Sequence, residues 1–67
     1  MNLQDLKFYA KQISNIYPEL QYQINDFVQL AIDNVDVGES EFNEAELAIE
    51  SIDELIIKNS ITFTLNL

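Results

Sequence analysis

The stretch Phe42–Lys58, FNEAELAIESIDELIIK, constrains the fold more than any other part of the chain. At the helical period Ala45, Ala48, Ile49, Ile52, Leu55 and Ile56 fall in one apolar stripe, while Glu46, Glu50, Asp53 and Glu54 gather on the opposite side. Such a helix needs a core on one face and water or a cation on the other. The spacing of Asn43 and Glu46 predicts a capping box, and Phe42 and Leu47 are spaced as a hydrophobic staple, so the helix is expected over 44–58. Alanine at Asn43 would then cost about 1 kcal/mol.

Two further helices are available to cover the stripe. Asn2 can cap a helix over about 3–17, with Asp5 returning the hydrogen bond, and Leu3, Leu6, Tyr9, Ala10, Ile13, Ile16 and Tyr17 trace its apolar face. Phe8 points away among Gln4, Lys7 and Lys11. Pro18 disfavours helical geometry at Tyr17 and suits the first position of a new helix. From 18 to 36 a second stripe consists of Leu20, Ile24, Phe27, Val28, Ala31 and Val35. Tyr22, Leu30 and Ile32 lie at its margin as candidate contact residues. Gly38, the chain's single glycine, is a helix stop signal.

Beyond Ser60 the period changes to two: Ile61, Phe63, Leu65 and Leu67 face one way, and Thr62, Thr64 and Asn66 the other. This predicts a strand over about 61–66. A strand without a neighbour leaves backbone donors and acceptors unpaired, so Ile61, Phe63 and Leu65 are candidate homodimerisation residues. The expected fold is mostly α, a compact three-helix domain with a short C-terminal β-strand, all within residues 1–67.

At 67 residues a single core covers only about 60% of the unfolded chain's surface. The usual reinforcements are a disulfide, a metal or a second subunit. With no cysteine and no histidine, a disulfide and a conventional zinc site are excluded. A cysteine-free chain fits a reducing cytoplasm. The N-terminal residues do not read as a signal peptide and no stretch reads as a membrane span, so a cytoplasmic protein without membrane contact is expected.

The formal net charge is −9, from 12 acidic and 3 basic side chains, and it is unevenly placed. Residues 1–35 sum to −2. Residues 36–57 carry Asp36, Glu39, Glu41, Glu44, Glu46, Glu50, Asp53 and Glu54 without a cation, a sum of −8. Such a field repels nucleic acid and attracts basic surfaces, including those that hold nucleic acid.

Catalytic motifs are not evident. Carboxylates on a convex helix face lack the water-restricted cleft that general acid–base chemistry needs, so no catalytic residue, cofactor or metal ligand is assigned and a non-enzyme is expected. The segment Asp33 to Glu44 has the aspartate, central glycine and final glutamate of a calcium loop, but Val35 and Val37 stand where side-chain oxygens are required. Gly38-Glu39-Ser40-Glu41-Phe42 likewise lacks the aspartate and leucine that flank the prosthetic serine of acyl carrier proteins. The functional expectation is an interaction protein that binds a basic protein surface through Asp36, Glu39, Glu41, Glu46, Glu50, Asp53 and Glu54, as an inhibitor imitating nucleic acid. The alternative is a homo-oligomeric assembly subunit whose acidic face is a soluble exterior.

Overall fold

Asn2 starts the first helix as its residue type predicts. The Asn2 side chain accepts from the Asp5 N–H at 2.8 Å, and the Asp5 carboxylate accepts from the Asn2 N–H at 3.1 Å. This capping box opens α1, Leu3–Ile16. The computed structural model describes residues 1–65, with side chains described as far as Ile61. Helix α1 stops because Tyr17, immediately before Pro18, has φ −123° and ψ 71°, outside helical geometry. Its N–H still donates to the Ile13 carbonyl at 2.8 Å, closing the last turn.

The second helix corrects the expected single element over 18–36. Pro18–Leu20 form a 3₁₀ turn, and α2 follows as Gln21–Asp36. Proline fixes φ and supplies no N–H, so the corner is closed by the tighter bond from Leu20 N–H to the Tyr17 carbonyl, 2.9 Å. Leu20 is thereby buried at the head of α2. At the far end Gly38 has φ +107°, with Gly38 N–H donating to Val35 O and Glu39 N–H to Asn34 O, both at 3.0 Å. This is a Schellman closure. Open space surrounds the site where a Cβ would stand on Gly38, so the backbone angle requires glycine there and crowding does not.

The third helix, α3, runs Glu41–Leu65, earlier and longer than predicted. Ser40, not Asn43, caps it: Ser40 Oγ accepts from the Asn43 N–H at 3.3 Å, and its carbonyl accepts from the Glu44 N–H at 2.9 Å. The expected capping box of Asn43 with Glu46 is therefore incorrect, as is the staple, since Phe42 and Leu47 both lie within the helix and are exposed. Serine, immediately after the Schellman turn, reaches the free amides first. The predicted strand is also corrected, because 61–65 continue α3. Alternating β-branched residues fit a pleated sheet, but no strand forms among the described residues to pair with one. A helix satisfies its backbone groups within the segment. Asn66 lies outside the described residues, and the side chains of Phe63 and Leu65 lie outside those described.

The three helices pack up, down and up. The Leu3 N–H donates to Glu41 Oε1 at 2.9 Å, so α1 and α3 begin at the same end, and Asn34 near the end of α2 donates to the Glu44 carboxylate. The core holds Leu6, Ala10, Leu20, Ile24, Ala31, Ala45, Ala48 and Ile52, with most of the other predicted stripe residues packed around it; Val35 is half-buried and outside that set. Ile16, predicted for the apolar face of α1, is exposed beside the corner. The last described side chain of α3 packed against this core is Ile56. At 1.5 Å per residue α3 is about 37 Å long against roughly 21–24 Å for α1 and α2, and the molecule measures 45 × 18 × 17 Å.

Ser40→Ala should lower stability by about 0.5–1 kcal/mol in urea unfolding followed by circular dichroism, whereas Asn43→Ala should change it by much less. The reverse order would restore Asn43 as the cap.

Candidate partner-binding surface

Helix α3 turns its apolar stripe inward and leaves all its carboxylates except the half-buried Glu44 exposed. Glu46, Glu50, Asp53 and Glu54 are all exposed, on turns that succeed one another along the outer face. Asp36 ends α2, and Glu39 lies in the connection, so both stand exposed near the start of α3. The structure thus divides the predicted surface into a corner group, Asp36, Glu39 and Glu41, and a helical group, Glu46, Glu50, Asp53 and Glu54.

Some of these carboxylates already have partners. Glu41 accepts from the first amide of α1, where the helix dipole favours a negative charge, so it joins the positive ends of two helices. Asp53 accepts a hydrogen bond from the Tyr9 hydroxyl of α1. Glu44, left out of the predicted surface, is half-buried and holds Asn34. Asp36, Glu39, Glu46, Glu50 and Glu54 are exposed and open to an incoming group. Among the described residues no group of three or more carboxylates is placed to hold a metal ion. Exposed carboxylates so arranged accept hydrogen bonds and pair with cations.

The Tyr9–Asp53 bond pins α3 against α1, and sequence reasoning missed it because the two residues were read as belonging to an apolar stripe and a solvent face. Hydrogen bonding to Asp53 is the main reason the Tyr9 phenol is pushed up to about 12; burial and the carboxylate's charge act in the same direction.

A second feature missed from the sequence lies between α2 and α3. Leu30 and Leu47, 59% and 56% exposed, rise on either side of the buried Ala31 and Ala48 and form a shallow apolar groove. The signal was present in Leu30, which falls at the margin of its stripe. In Leu47 it was hidden by the staple assignment.

Ile61, predicted for self-association, is exposed on the distal part of α3, as is Ile57 one turn before it. Among the described residues no helix is long and apolar enough to cross a membrane. Comparison with known protein families, curated proteins and solved structures finds no match to this chain.

The raised Tyr9 pKa gives a pH test. Folding holds the phenol protonated, so its contribution is fully present below the unfolded value near 10 and is lost as pH rises from there toward about 12. Measured by urea midpoint, the advantage of the native protein over Tyr9→Phe should shrink between pH 9 and pH 11. An advantage independent of pH in that window would show that the phenol is not held by Asp53.

Proposed function

We propose that the protein is a non-catalytic interaction protein that binds a basic protein surface and, by imitating nucleic acid, inhibits the protein it binds. The observation that carries this reading is the run of carboxylates over residues 41–54 of α3, a stretch without a cation. Glu41, Glu44, Glu46, Glu50, Asp53 and Glu54 fall within about 20 Å of helix at 1.5 Å per residue. That is one charge per roughly 3–4 Å, close to the 3.4 Å per charge of a single DNA strand and about half the density of the duplex. A groove that neutralises phosphates with Lys and Arg meets a comparable field on this helix. Lys58 is the only cation between Lys11 and the C-terminus. Like charges one turn apart cost a few tenths of a kcal/mol per pair, so the arrangement opposes helix stability and is consistent with selection for binding.

The proposed partner is a nucleic-acid-binding protein. Nucleic acid itself and anionic membrane are repelled. The absence of cysteine suits work in the cytoplasm.

A homo-oligomeric reading retains one specific observation in its favour. Ile57 and Ile61, 58% and 53% exposed, stand one turn apart on α3 beyond the packed core. Under this reading, Ile57→Ser with Ile61→Ser converts an oligomer to a monomer in sedimentation. A native protein that is already monomeric rules it out.

For the favoured reading the test is capture from lysate on immobilised protein. A nucleic-acid-handling protein should bind at low salt, leave steeply as salt rises, and be displaced by competing DNA or RNA. Charge reversal at Glu46, Glu50 and Glu54 should abolish capture with the helical signal intact. Retained capture by that variant would refute the assignment.

A further inference from the structure

We propose that the groove along the α2–α3 seam is the docking site for a basic amphipathic helix of the partner protein, one that places two apolar anchors a heptad apart. This rests on the reading of the protein as a binder of basic surfaces and specifies the form the partner takes. The groove has two successive depressions. The first, about 170 Å³, is walled by Phe27, Leu30 and Leu47 over Ala31 and Ala48. Its volume is comparable to the engineered core cavity of about 150 Å³ that accepts benzene, the size of one large apolar side chain. The second, about 180 Å³, lies between Phe27 and Leu55 and shares Phe27 and Ser51 with the first.

The spacing of the depressions identifies the occupant. The α3 residues lining the first are Glu44, Leu47, Ala48 and Ser51, and those lining the second are Ser51, Glu54, Leu55 and Lys58. Each set repeats the other seven residues on, an offset of about 10 Å along the helix. A helix lying alongside α3 delivers side chains at that interval from positions i and i+7, the pattern by which amphipathic helices fill grooves. An extended strand reaches the same distance in about three residues, and side chains three apart point to opposite faces.

The rim sets the charge of the occupant. On α2, Asp26 and Asp33 stand one turn before and one turn after Leu30, and on α3 Glu50 and Glu54 follow Leu47 at one and two turns. All four are exposed, and Lys58 is the cation lining the far end. Lys and Arg flanking the anchors of a partner helix would meet carboxylates on both sides. A second copy of this chain would bring its own net charge of −9 against the same rim.

The test uses two synthetic 18-residue peptides of identical Leu and Lys composition, one with leucines at heptad spacing and one scrambled to remove the stripe. Titrated against the full chain, the striped peptide should bind at least tenfold tighter than the scrambled one and gain helical circular dichroism. Leu30→Ser with Leu47→Ser changes only half-exposed side chains, and Leu47→Gln alone is a gentler second variant. Both should erase the preference while retaining weak, salt-sensitive binding of either peptide. Equal binding of the two peptides by the native protein overturns the groove and leaves the acidic-surface reading intact. Binding of neither peptide overturns both. A dimer of the native protein that Leu30→Ser with Leu47→Ser dissolves would assign the groove to a second copy and overturn the proposal.

Discussion

Leu6, Ile24 and Ile52, one side chain from each helix and each fully buried, carry the architecture. Each contributes roughly 1.5–3 kcal/mol relative to exposure, and the other buried positions are mostly alanine. Alanine adds little apolar area but lets helices approach closely. A chain of this size without disulfide or histidine therefore relies on a thin core of four large side chains, these three and Leu20, and on well-specified helix ends. The Asn2–Asp5 box, the Schellman closure at Gly38 and the Ser40 cap all lie at such ends. Tyr9–Asp53 and Leu3–Glu41 then tie α3 to α1 by hydrogen bonds.

The same scarcity of large core residues shapes the surface. Ala31 and Ala48 are buried and line the same depression on the seam, and the flanking leucines are left standing outside the core. A larger residue at either position would fill the floor or separate the helices. The groove is thus a product of the alanine packing, and its depth comes from residues that any account of stability would count only as core.

The sequence made the helices legible because each apolar stripe repeats at the helical period and each corner carries a proline or a glycine. Ends were legible where one local hydrogen bond decides them, as at Asn2, and misleading where two candidates compete, as Ser40 and Asn43 do. The strand was misread because an alternating pattern describes side-chain preference and says nothing about a neighbour. At residues 61–65 the helix needs no partner and the strand does. The run of charge along α3 was legible, since charge and period are both properties of the chain, but the internal partners of Glu41, Glu44 and Asp53 were not. The groove and the Tyr9 contact were not, because both depend on how two helices are rotated against each other, and in a single sequence Leu47 has a plausible role without any neighbour.

Charge and packing meet in α3. Its inner face holds the fold together through Ala45, Ala48 and Ile52, while its outer face gathers carboxylates that repel one another. Part of that repulsion is relieved internally: Glu41 by the amide of α1, Glu44 by Asn34 and Asp53 by Tyr9. The carboxylates left without such relief, Glu46, Glu50 and Glu54, stand on the outward side of the helix, between the α1 contact and the groove. A cationic partner placed there would lower the helix's own electrostatic cost as it bound, so binding and stability are coupled. The partner's apolar side chains and its basic ones would then act on the same helix, the first by covering Leu47 and the second by neutralising the face beside it.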